Sequence, residues 1–138
     1  MKRVIGALVL LGASSGLLAE ARPVTVTLSD ASGMTQGMAM VLANQMQEQG
    51  AQVDILLCDQ AGDLALKEAG GEPLKPNDVT PAQLLSAALG KGATASVCAL
   101  YLPNSGHARE ALKDGVGVAT PDAMARSLLE NDRKVFSF

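Results

Sequence analysis

The chain has 138 residues, 48% of them hydrophobic and 18% charged, and a net charge of -3 at pH 7. That balance suits one domain with a genuine core and excludes a disordered polymer, which lacks the apolar content to offset chain ordering. Acidic character, the absence of Trp, and only Tyr101, Phe136 and Phe138 as aromatics exclude a basic, aromatic-studded nucleic-acid surface.

Lys2 and Arg3 precede an apolar or small-residue stretch from Val4 to Ala19, and Ala19-Glu20-Ala21 offers small residues around a cleavage point. This order predicts a signal peptide over residues 1–21, a mature domain over 22–138, and a periplasmic or secreted protein. The stretch is short for a membrane span and is broken by Ser14, Ser15 and Gly16, so no membrane association is expected after cleavage. Cleavage takes Lys+Arg from 11 to 9 and Asp+Glu from 14 to 13, moving the net charge from -3 to -4.

In the mature chain, Val24-Thr25-Val26-Thr27-Leu28 alternates as a strand does, and Ser29 to Gly33 turns it. Met34, Met38, Val41, Leu42 and Met46 then recur at helical spacing as far as Gly50, which sits where a C-terminal cap belongs. Met34, Met38 and Met46 are read as the core-facing side of this helix, with Met40 off that face. Val53 to Leu57 is continuously apolar, the mark of a strand covered on both faces, and ends at Cys58. A short helix over 64–69 and a Gly/Pro-rich loop over 70–77 follow.

Thr80-Pro81 opens a helix with Leu84, Leu85, Ala88 and Leu89 inward, ended by Gly90 and Gly92. Residues 93–102 form the third strand, carrying Cys98 and closed by Pro103 to Gly106. A short helix over 108–113, a strand over 116–119, a helix capped by Thr120 with Met124, Leu128 and Leu129 inward, and a last strand over 135–138 complete the chain. The last strand is expected inside the sheet. Alternating strands and helices require parallel neighbours joined by right-handed crossovers. The predicted fold is therefore a single three-layer α/β domain with a mostly parallel five-stranded sheet, flavodoxin-like or Rossmann-like.

In such sheets function gathers beyond the carboxyl ends of the strands, here the loops 29–33, 58–62 and 101–107. Asp30 and Asp59 fall at neighbouring strand ends. Cys98 stands near the end of strand three, facing either the core or the crevice. A reactive thiol there needs a stabilised thiolate, and His107 and Arg109 are the local cations that could supply it. In a 2-1-3-4-5 strand order, strand one separates Cys58 from Cys98 by roughly 10 Å, beyond the about 7 Å limit for a bridge. Two thiols or intermolecular pairing are expected rather than an internal disulfide. Gly33 and Gly37 make neither a dinucleotide fingerprint nor a Walker loop, and no cofactor is expected.

The first strand with its loop and helix, Gly50, the second strand, Ala95-Ser96-Val97-Cys98-Ala99-Leu100, Gly115-Val116 and Asp132-Arg133-Lys134-Val135-Phe136-Ser137-Phe138 together resemble the DsrE/DsrF/TusD family of sulfur-relay proteins. The likeness runs through nearly the whole mature chain. It implies a persulfide-carrying role for Cys98, with Cys58, His107 and Arg109 as helpers, a sulfur donor or acceptor protein as partner, and a trimeric or hexameric homo-oligomer. Two other readings stand beside it: a non-catalytic binding or assembly module of the same fold, and a Cu(I) carrier using Met34, Met38, Met40, Met46, the cysteines and His107.

Overall fold

The computed structural model describes residues 20–138; the predicted signal segment lies almost wholly outside them. Five strands, β1 (Arg22–Leu28), β2 (Ala51–Leu57), β3 (Thr94–Cys98), β4 (Val116–Ala119) and β5 (Lys134–Ser137), form one sheet in which every pairing is parallel. Four α-helices join them: α1 (Gly33–Glu48), α2 (Pro81–Gly90), α3 (Tyr101–Ser105) and α4 (Pro121–Leu128). A 3-10 helix over Asp59–Ala65 and a 3-10 turn over Arg109–Ala111 fill the longer connections. Among the described residues no helix is long and apolar enough to cross a membrane.

The predicted α/β class and five-stranded parallel sheet are present, but the strand order is β4-β3-β2-β1-β5. The chain steps one way across the sheet from β1 to β4. Right-handed crossovers therefore lay α1 and α2 side by side on one face. Asn44 Nδ2 donates to the Leu84 carbonyl at 3.0 Å and Gln47 Nε2 to that of Ala88 at 3.2 Å, tying the two helices together. The return from β4 to β5 spans the sheet in the opposite direction and places α4 on the other face. β5 is an edge strand with all four residues exposed, not the interior strand expected from its position at the chain end.

The core lies between the sheet and the α1/α2 layer. Val24, Val26 and Leu28 alternate into it from β1, Val53, Ile55 and Leu57 from β2, and Ala95 and Val97 from β3. β2 is the middle strand, as its apolar run predicts. Residues of opposite parity, Thr25, Asp54, Leu56, Thr94 and Ser96, face α4 across a cavity also lined by Ala123, Met124 and Leu128.

The buried face of α1 departs from the predicted one, although Met46 packs against the core as expected. Met40 is fully buried, whereas Met34 is 77% and Met38 56% exposed. The buried side of the helix is Gln36, Gly37, Ala39, Met40, Ala43 and Asn44. Small residues let the helix lie close; a Cβ added at Gly37 would run into the Leu74 side chain. Large apolar residues alone mislead when a close-packed helix buries its small ones. Leu129, expected inward, is likewise exposed just beyond α4.

Two helix starts follow from their caps, and in the simpler of them Thr120 Oγ1 accepts from the Ala123 N–H at 3.3 Å ahead of Pro121. Thr80 accepts from the Gln83 N–H at 3.2 Å while Gln83 Oε1 accepts from the Thr80 N–H at 2.8 Å, a reciprocal pair ahead of Pro81. Strand three is shorter than expected. β3 stops at Cys98 and the chain turns into α3, where Pro103 sits in the first helical turn and lacks only an N–H that has no intrahelical partner anyway.

Candidate active site: a disulfide-lined cavity at the strand ends

Leu57 and Val97 are partners in the β2–β3 ladder, so the residues that follow them, Cys58 and Cys98, leave the sheet side by side. Their Cα atoms are 5.2 Å apart and their sulfurs form an intrachain disulfide, leaving no free cysteine in the chain. This corrects the expectation of two separate thiols. That expectation placed β1 between the cysteine-bearing strands, whereas β1 lies on the far side of β2 from β3. Adjacent strands sit about 4.8 Å apart, within the span of a bridge.

The disulfide lines a cavity of about 490 Å³ together with Asp59, Gln60, Asp63, Leu100, Tyr101, Asn104 and Ser105. Three short segments build it: the β2 end with the 3-10 helix, the β3 end, and α3. Cys58 is partly exposed and Cys98 is 5% exposed, so Cys58 is the more accessible residue of the pair. Tyr101 forms the wall, its hydroxyl donating to Asp63 Oδ1 at 2.6 Å. Burial, reinforced by the Asp63 carboxylate, pushes the phenol well above its ordinary pKa. The 3-10 helix can approach this ring because residue 62 is glycine; any Cβ there would overlap the aromatic carbons.

Of the predicted site residues, the structure brings together Cys58 and Cys98 and leaves the two cations outside. The His107 ring stacks on Tyr101 with centroids 6.4 Å apart, on an exposed stretch that does not line the cavity. Arg109 is exposed in the 3-10 turn and does not line it either. Lys113 is occupied elsewhere, its ammonium donating to the carbonyls of Leu64 and Leu66, with burial lowering its pKa. The lining therefore holds two carboxylates and no cation. Asp30, paired in sequence with Asp59, instead accepts from the Ser32 N–H at 2.6 Å ahead of α1.

The soft ligands of the copper reading do not converge. Met40 is enclosed in the core, Met34 and Met38 point outward on α1, and the two sulfurs are bonded to each other. Among the described residues no group of three or more His, Cys, Asp or Glu is disposed to hold a metal.

Sequence reasoning put Tyr101, Asn104 and Ser105 in a crevice loop without singling them out, and missed Asp63 because it started the helix after Cys58 too late. The single tyrosine of the chain, two residues before a proline and three after a cysteine, was the available signal. It also missed a second polar centre on the α4 face, where Arg133 pairs with Asp54 and with Glu130 and donates to Thr25 Oγ1 at 3.0 Å. Burial opposes the charge on Arg133, but hydrogen bonds and proximity to Asp54 and Glu130 outweigh it and raise its pKa.

No protein-family model matches the chain, and no curated protein matches it. Among solved structures it is similar to the YchN protein of E. coli, with a TM-score of 0.68 and 20% identity over 85% of this chain and 99% of that one. It is also similar to MTH1491 of Methanobacterium thermoautotrophicum, a protein of unknown function, with a TM-score of 0.61 and 13% identity over 84% of this chain and 99% of the other. Likeness at these identities establishes the fold alone: the chain is a single α/β domain built on a five-stranded parallel sheet.

Proposed function

We propose that this is an exported, DsrE-like thiol-exchange protein whose Cys58–Cys98 pair cycles between disulfide and dithiol. The observation that carries the reading is a disulfide at the carboxyl ends of two adjacent parallel strands, lining an open cavity rather than stapling remote loops.

The order of events follows from accessibility. An incoming thiolate attacks Cys58 Sγ, the protein S–S bond breaks, and its electron pair leaves on Cys98 Sγ. A second thiolate attacks the external sulfur of the mixed disulfide, releasing an oxidised thiol pair and the Cys58 thiolate. Two external thiols lose two electrons and two protons, and the protein gains both as a dithiol. In the reduced state Cys98 can carry sulfur: its thiolate attacks the outer sulfur of a persulfide R–S–SH, taking that atom and expelling the R–S thiolate. Attack of Cys58 on Cys98 Sγ then expels hydrosulfide and restores the bridge. An oligomeric assembly, implied by the resemblance, would present several such cavities together.

The other reading is an assembly module in which the bridge is a structural clip. The low exposure of Cys98 and the lack of a cation to stabilise its thiolate favour it.

Intact mass separates the two. Treatment of the folded mature protein with a small thiol is expected to add two hydrogens within minutes; a persulfide donor is then expected to release hydrosulfide and return the bridged mass in wild type, whereas Cys58→Ser retains one added sulfur atom that the Cys58→Ser/Cys98→Ser variant lacks. Cys98→Ser is expected to hold a stable mixed disulfide on Cys58, while Cys58→Ser labels slowly. A bridge that opens only in denaturant makes it a clip and overturns the exchange reading.

A further inference from the structure

We infer that the cavity selects its thiol partner by charge, favouring a thiol with an ammonium or guanidinium group within one side-chain length of the sulfur and rejecting anionic thiols. This deepens the exchange reading above and rests on it.

The charge inventory of the approach to Cys58 is one-sided. Asp59 follows Cys58 directly and Asp63 lies four residues further on in the 3-10 helix; both line the cavity. Gln60, Asn104 and Ser105 supply neutral polar groups, and Leu100 an apolar rim that is 70% exposed. The basic side chains nearby are held away: Lys113 on the Leu64 and Leu66 carbonyls, His107 stacked on the Tyr101 ring, Arg109 outside the lining. Asp63 keeps its place because the Tyr101 hydroxyl donates to it at 2.6 Å. Asp59 is held with φ at +51°, a left-handed backbone that aspartate tolerates better than most residues, which fixes where its carboxylate leaves the chain.

Attack on the bridge brings a thiolate into this field and leaves a second thiolate at Cys98. Both steps are opposed by Asp59 and Asp63, and a positive group carried in with the nucleophile relieves both. An anionic thiol meets the same field with the opposite sign. In water one carboxylate about 8 Å from a unit charge changes its local concentration about twofold, so two carboxylates acting on opposite charges separate cationic from anionic thiols by about tenfold or more. The volume of about 490 Å³ admits a cysteine side chain with its neighbours, so both a small aminothiol and a cysteine flanked by basic residues carry the required chemistry.

The test is the rate of bridge opening in the folded mature protein by cysteamine, 2-mercaptoethanol and 3-mercaptopropionate, each normalised to its thiolate concentration and intrinsic nucleophilicity. A Lys-Cys-Lys and a Glu-Cys-Glu peptide form a second arm that tells a small aminothiol from a polypeptide source. Cationic thiols are expected to react about tenfold or more faster than anionic ones at low salt, with the ratio collapsing towards one in molar salt. Asp59→Asn is expected to roughly halve the logarithm of the ratio. Equal normalised rates across charges, with the bridge opening readily, overturn the selectivity and leave exchange standing. Failure of every thiol to open the bridge overturns the exchange reading itself.

Discussion

Reducing the disulfide offers the most quantitative check on the site. The bridge joins residues 40 apart in sequence, so in the unfolded chain it closes a loop of that size. The loop-closure relation gives an entropy loss of about 13 cal/mol/K for such a loop, or about 4 kcal/mol at 25 °C by which the oxidised protein is the more stable. The native state contributes little to the difference, because the ladder pairing Leu57 with Val97 already holds the two cysteines side by side. Guanidinium melts of the oxidised and fully reduced protein, followed by circular dichroism, measure it. With a slope near 3 kcal/mol/M the midpoint falls by about 1 M on reduction, and the slope itself rises because an uncrosslinked unfolded chain exposes more surface. The Cys58→Ser/Cys98→Ser double variant should follow the reduced wild type. Extrapolated free energies within about 1 kcal/mol of each other refute the argument, since no arrangement that closes this loop leaves the unfolded state so little changed.

Two further predictions probe the fold and the cavity wall. Met40→Ala is expected to cost about 2–4 kcal/mol through the cavity it leaves in a fully buried position, and Met38→Ala less than about 0.5 kcal/mol; equal costs in urea melts would show that α1 does not pack as described. Tyr101 is the only tyrosine, so tyrosinate absorbance reads it alone: native protein should titrate well above the unfolded midpoint of about 10, and Asp63→Asn should bring it back towards that value. Because the folded pKa is the raised one, the stability it contributes is full below pH of about 10 and is lost as pH climbs towards the folded pKa. Coincident native and denatured titrations would remove Tyr101 from the buried wall.

Legibility differed between the sheet and the site for identifiable reasons. Cys58 was picked out as a strand-end residue from an apolar run followed by turn formers, whereas Cys98 was read within a run extending to Leu102 and the strand in fact stops at it. Their bonding was not legible, because it depends on which strand neighbours which. The cations His107 and Arg109 are close to Cys98 in sequence but turned away from the cavity by α3, a helix that the Pro103 signal concealed. Asp63 and Tyr101, 38 residues apart, became partners only through the fold.

What the sequence determined by itself is most of the long elements: the period of two in β1, the apolar run of β2, Thr80 and Thr120 as helix starts and Gly50 past a helix end are local, backbone-level preferences that any fold must honour. Only the tertiary structure decided the order β4-β3-β2-β1-β5, the buried face of α1 and the pairing of Cys58 with Cys98. Those outcomes depend on which surfaces pack together, and α1 buries Gly37, Ala39 and Ala43 beside Met40 where a pattern of large apolar residues alone pointed to another side of the helix.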